Sequence, residues 1–142
     1  MDRTALIELS LELAGERCPD LTPLVYERLF AQQPEMKALF WRDTNGMIRG
    51  EMLTRVFEAI LDFIGERLYA HHLIQCEVVT HAGYEVPPDV FCTFFPVVAE
   101  TLREVVGAAW SAEIEQAWES LLADLDFYVK HPDQRETAAL AV

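Results

Sequence analysis

The amino-acid sequence predicts an all-α fold, and three observations predict it. Apolar residues recur every three or four positions nearly throughout, the period of helices with one buried face. No alternation of period two is long enough for a strand, and nothing repeats at a spacing of roughly 20–50 residues. Prolines and glycines fall mostly between the periodic runs, where they start and stop helices.

The first helix is expected from about Arg3 to Ala14, with Ala5, Leu6, Ile7, Leu9 and Leu13 turned inward and Gly15 ending it. Thr22-Pro23 reads as an N-cap followed by proline at the first helical position. The helix it opens carries an apolar stripe of Leu24, Val25, Leu29 and Phe30, with Tyr26 beside it. Pro34 restarts the chain as a short helical turn to Phe40. Asp43, Thr44, Asn45 and Gly46 make Trp41 to Gly50 a surface loop. A long central helix, about Gly50 to Tyr69, buries Met52, Leu53, Val56, Phe57, Ile60, Leu61, Ile64 and Leu68, a stripe wider than a coiled-coil seam.

His71 and His72 mark a connection and are expected to face solvent; Leu73 to Thr80 form a short helix that delivers His81 on its last turn. A residue before proline is pushed out of the helical region, so Val86 and Pro87 are expected to be extended. A helix from about Asp89 to Gly107 follows, kinked where Pro96 removes a backbone bond and crowds the carbonyl of Cys92. Ser111 caps a last helix holding Ile114, Trp118, Leu121, Leu122, Leu125 and Tyr128, which stops at His131-Pro132. Residues 1–132 are expected to form one domain, and Asp133 to Val142 a flexible tail.

A chain of 142 residues can bury roughly two-thirds of its unfolded surface, enough for a sizeable core. The longest apolar run, around Val90 to Ala99, is broken by Thr93 and Pro96 and falls well short of the roughly 20 residues that span a bilayer. Met1-Asp2-Arg3-Thr4 lacks the basic-then-apolar start of a signal peptide, and Cys18, Cys76 and Cys92 are odd in number without zinc-type spacing. A cytoplasmic protein with free thiols is expected. The net charge of −13 repels phosphate backbones and anionic membranes, which argues against nucleic-acid and membrane partners.

Two motifs are specific. In Val25-Tyr-Glu-Arg-Leu-Phe-Ala-Gln-Gln-Pro-Glu-Met-Lys-Ala-Leu-Phe40, Phe30, Pro34 and Phe40 stand at spacings of four and six; further on, His81 precedes Val86, Pro88, Asp89 and Phe91. Both resemble the globin domain of flavohaemoglobins and single-domain bacterial haemoglobins, over about Leu6 to Tyr128. The resemblance implies a globin fold, a three-over-three sandwich of seven to eight helices, and a haem b cofactor (iron protoporphyrin IX). It implies that His81 is the proximal ligand of a five-coordinate iron, leaving the sixth position open for a diatomic gas. It further implies that Phe40 stacks on the porphyrin, and that Tyr26 stands on the distal side, where a phenol can donate a hydrogen bond to bound dioxygen. Aligning Phe57-Glu-Ala-Ile60 with the family's similar run puts Met52 where a distal glutamine or histidine stands, Val56 one turn on over the iron, and Arg55 near a haem propionate. Val86, Phe91, Phe94 and Val98 would wall the pocket.

The sequence departs from that pattern in two ways. Flavohaemoglobins usually carry tyrosine where Phe91 stands, and late in the last helix a glutamate that bonds the proximal histidine; near that place this chain has Pro132 and Asp133. Lacking a carboxylate on its second ring nitrogen, the imidazole is expected to push less electron density to iron. The resemblance also covers no flavin and nicotinamide reductase half. The leading expectation is therefore a gas-binding module that takes dioxygen, nitric oxide or carbon monoxide. The alternatives are a nitric oxide dioxygenase drawing electrons from a separate reductase, a gas sensor, or a haem-free signalling globin.

Overall fold

The computed structural model of the protein describes residues 1–65, 70–83, 86 and 88–131. Within these, helices follow one another and no strand occurs among the described residues. Leu68, Tyr69, Pro87, Pro132, Asp133 and the expected tail lie outside the described residues, as do the side chains of His71 and His72.

Helix α1 spans Arg3–Arg17 and opens on Asp2, whose carboxylate accepts from the Ala5 amide at 2.8 Å. It passes through Gly15, which a helix tolerates at a cost of about 1 kcal/mol. The last turn is anchored instead by Arg17, whose guanidinium donates to the Val106 carbonyl at 2.5 Å. Its deepest residues are Ile7, Ser10 and Ala14, while Leu6, Leu9 and Leu13 are only half-buried.

Helix α2, Thr22–Gln32, starts at the residue expected to cap it: Thr22 lies inside, Leu21 takes the cap position, and Asp20 accepts from the Thr22 amide at 3.1 Å. Its buried residues are Val25, Tyr26 and Leu29, while Leu24 is 41% exposed. The buried face is thus turned by about one residue, and Tyr26 belongs to it. A 3-10 turn, Pro34–Phe40, follows as expected.

Helix α3, Met47–Ile64, begins inside the stretch expected to be loop. Asp43, almost fully buried, accepts from the Ile48 and Arg49 amides at 3.1 and 3.0 Å and from Arg49 Nε at 2.8 Å. Asn45 accepts from the Met47 amide, and Gly46 takes the left-handed conformation, φ 80°, that turns the chain into the helix. Leu53, Ala59, Ile60 and Phe63 are buried, whereas Leu61, expected inward, is 43% exposed.

Helix α4, Ala70–Gly83, ends just past His81, and the amide of buried Val86 donates to the His81 carbonyl at 2.8 Å, closing the helix end. The single kinked helix expected over 89–107 is two: α5, Pro88–Phe91, and α6, Phe94–Val106. The chain bends at Cys92-Thr93, where both the Thr93 amide and its hydroxyl donate to the Val90 carbonyl. Pro96 consequently falls in the first turn of α6, where an amide has no partner inside the helix, and nothing is lost by its being proline. A 3-10 turn at Gly107–Ala109 leads to α7, Ala112–Lys130, capped as expected by Ser111, whose hydroxyl accepts from the Ile114 amide at 3.1 Å.

Helix α1 packs on α6 and α7, α2 on α6, the first 3-10 turn and α3, and α3 on α4; α4 and α5 reach α7. At the centre Trp118, 1% exposed, donates from Nε1 to Ser10 Oγ at 2.9 Å, and Ser10 passes its own hydrogen to the Ile7 carbonyl at 2.6 Å. No helix among the described residues is long and apolar enough to cross a membrane.

Candidate functional site

Tyr26 stands in a box of phenyl rings. Phe30, one turn along α2, lies 5.9 Å from it between ring centroids, Phe40 of the 3-10 turn 5.5 Å and Phe94 of α6 5.6 Å; Phe30 and Phe40 also meet, at 5.6 Å. The helical spacing of Tyr26 and Phe30 and the restart at Pro34 bring three of these rings together from one short stretch of chain. The ring is 1% exposed, yet its hydroxyl has no hydrogen-bond partner among the described residues. A buried, unbonded hydroxyl costs about 1–3 kcal/mol, so folding alone does not explain it. Burial pushes the phenol well above the ordinary tyrosine pKa, with the negative charge of Asp43 adding and the positive charge of Arg49 opposing. The group is therefore a neutral O–H donor throughout the physiological range.

His81 is held at its Nδ1, 2.7 Å from the Glu77 carbonyl one turn earlier. A carbonyl only accepts, so the contact requires the proton on Nδ1 and leaves the Nε2 lone pair of the neutral ring as its ligating atom. Phe91 meets the imidazole edge-on with centroids 4.9 Å apart, and Phe95 in turn packs on Phe91 at 6.0 Å. Phe94 and Phe95 are neighbours on the first turn of α6, one in the tyrosine box and the other behind the histidine's ring partner. The bend at Cys92-Thr93 makes this possible, because it sets the start of α6 independently of α5.

The remaining candidates fall on the surrounding elements. Val86 and Val98 are buried, Val98 completely, and Met52 and Val56 are half-buried on α3. Arg55 is an exposed cation on the same helix, with Nη1 3.8 Å from a Glu77 carboxylate oxygen. The other oxygen of that carboxylate lies 3.5 Å from His81 Nδ1. The expected absence of a carboxylate hydrogen-bonded to Nδ1 agrees with this geometry, since the Glu77 carbonyl takes that proton; the Glu77 carboxylate, from the histidine's own helix, stands beside it without bonding it. Glu77 and Phe30 are the two neighbours the sequence reading left out of the site. Helical spacing of four from His81 and from Tyr26 was the signal for each.

Among the described residues no group of three or more His, Cys, Asp or Glu side chains could hold a metal ion. A single imidazole in an aromatic setting suits instead a metal carried by a macrocycle that brings its in-plane ligands with it. An open groove of about 820 Å³ along the start of α3, lined by Thr22, Met47, Arg49, Thr54 and Glu58 among others, is mixed in character and shares Arg55 with this site.

With helices in this order, a buried phenol among phenyl rings and a histidine presented at a helix end, the chain belongs to the globin family, whose model matches residues 24–126. It is 26% identical over 122 residues to a flavohemoprotein of Vibrio cholerae serotype O1, covering 80% of this chain and 29% of that protein's length. It is also 26% identical over 137 residues to leghemoglobin 2 of Sesbania rostrata, covering 89% of this chain and 92% of the relative. No solved structure matches. The all-α globin fold is thereby established, and the family implies haem-based binding of diatomic gases.

Proposed function

We propose that the protein binds haem b through His81 and holds a diatomic gas, dioxygen first among them, beside Tyr26. Haem, when bound, supplies an iron with one coordination position open to a gas. The chain supplies the rest. His81, its proton fixed on Nδ1 by the Glu77 carbonyl, offers Nε2 to the metal. Phe40 and Phe94 give the macrocycle apolar faces to stack on, with Phe91, Val86, Val98, Val56 and Met52 excluding water, and exposed Arg55 is placed to meet a carboxylate at the rim. The observation that carries the reading is the Tyr26 hydroxyl: buried, protonated and without a partner among the described residues, it is a donor awaiting an acceptor. Such a donor favours dioxygen, which takes on negative charge, over carbon monoxide.

Absorption spectra of the ferric, ferrous and carbonmonoxy forms test this directly. A Soret band is expected after haem reconstitution and is lost in His81→Ala; a parent protein without the band removes the reading and favours a haem-free signalling role. Tyr26→Phe is expected to raise the dioxygen dissociation rate about tenfold or more while changing that of carbon monoxide little, the scale of one charge-assisted hydrogen bond. An unchanged dioxygen rate would take Tyr26 out of the site.

The carboxylate beside His81 and the flavohemoprotein similarity support a second reading, a nitric oxide dioxygenase supplied by a separate reductase. Nitric oxide consumption with a generic reductant separates the two, since an enzyme shows many turnovers and a carrier one. We place the protein in the cytoplasm of a bacterium, on its resemblance to single-domain bacterial haemoglobins and its three free cysteines.

A further inference from the structure

We propose that Glu77 is a positioning residue for His81, whose charge sets the electron density on the imidazole and so the strength of the bond that ring makes to a metal. The inference rests on His81 being the iron ligand, as read above.

Glu77 acts on the ring twice. Its backbone carbonyl, 2.7 Å from Nδ1, fixes the ring's tautomer and orientation. Its carboxylate stands beside the same nitrogen at 3.5 Å, longer than an N–H···O hydrogen bond, so it works through its charge and leaves the proton on the imidazole. A negative charge next to the N–H end makes the opposite nitrogen a stronger donor of its lone pair. The geometry follows from the helix period: a side chain four residues before His81 lies one turn up the same face of α4. The carboxylate is also held from outside α4, because Arg55 of α3 reaches its other oxygen at 3.8 Å. Arg55 pulls charge away from the imidazole and Glu77 supplies it, and the ring feels the difference. Glu77 is half-buried and Arg55 exposed, so the surrounding water screens the arginine more than the carboxylate.

Glu77→Gln isolates the charge, for it keeps the side chain's length and leaves the backbone carbonyl untouched. The full chain reconstituted with haem is read in two ways: the iron–histidine stretching frequency of the ferrous protein by resonance Raman, and the ferric/ferrous midpoint by spectroelectrochemistry. In Glu77→Gln the Soret band is expected to persist and the stretching frequency to fall. The ferric/ferrous equilibrium is expected to move about threefold to tenfold toward ferrous, tenfold being 59 mV for one electron. Arg55→Gln is expected to raise the stretching frequency in the parent and to raise it less in a Glu77→Gln background, where the part of its effect that passes through Glu77 is lost. Glu8→Gln, which removes the same charge from an exposed position on α1, is expected to change neither readout. Haem-loaded Glu77→Gln with the parent's frequency and midpoint overturns the inference and leaves the haem reading intact. A parent that forms no Soret band overturns the haem reading, and a His81→Ala variant that still forms it overturns His81 as the ligand; either result takes this inference with it.

Discussion

Asp43 shows how much one carboxylate can organise. Burial pushes its pKa up, but the Arg49 guanidinium and the amides of Arg49 and Ile48 together outweigh this and hold it below the usual carboxylate value. A group with a depressed folded pKa contributes stability above its unfolded value, about 3.9, and loses it as pH falls through the lower folded value. Asp43→Asn is therefore expected to lower the melting temperature at neutral pH, with the gap to the parent closing below about pH 4; thermal melts across pH 3–7 or so check it. The cysteines divide by the same logic. Burial above all, then the negative charge of Asp126, pushes the Cys92 thiol up to about 11, whereas Cys76 is exposed. A thiol reagent near neutral pH is expected to label Cys76 rapidly and Cys92 only on unfolding, as peptide mapping would show. His81 and Tyr26 stand out as candidates in the sequence because the residues flanking them are distinctive. The inward direction of Tyr26 was not legible there, since it depends on where α6 and the 3-10 turn lie, and no local spacing encodes that.

At the scale of the element, the features found in advance are those governed by local chemistry: proline at the start of α2, the restart at Pro34, and the Ser111 cap. Ser111→Ala removes the acceptor for the Ile114 amide and is expected to cost about 1 kcal/mol in a denaturant titration. The misplaced boundaries share a different cause. The start of α3 depends on Asp43 reaching forward past Gly46, and the break between α5 and α6 on Thr93 giving two hydrogen bonds back to Val90; in each case a side chain or amide chose a partner that the hydrophobic period does not display. At the end of α6, Gly107 sits at φ 64°, ψ −129°, a conformation nearly reserved for glycine, with Arg17 Nη1 3.4 Å from where a Cβ would stand. Gly107→Ala is expected to destabilise by about 1–3 kcal/mol, again by denaturant titration.

Across the whole molecule the apolar pattern foretold the fold class because nearly every helix has one face to bury, and the core is a single cluster running from Ile7 through Trp118 to Tyr26 and Ile60. Less legible was the polar contact at its centre. Ser10 on α1 accepts from the Trp118 indole on α7, 108 residues away in sequence, and a serine in an amphipathic helix reads as surface until its partner is known. Ser10→Ala strands the indole N–H in the core and is expected to cost about 1–3 kcal/mol; Ser10→Ala with Trp118→Phe, which removes both partners, is expected to cost less than the two single variants together. The same contact has a bearing on birth. Arg3 joins it in clamping α1 to Ser120 and Asp124, so a ribosome adding about 5–20 residues per second leaves the first helix without its docking face for roughly 5–20 seconds. During that interval the nascent chain shows Ile7 and its neighbours to whatever chaperone waits at the exit tunnel.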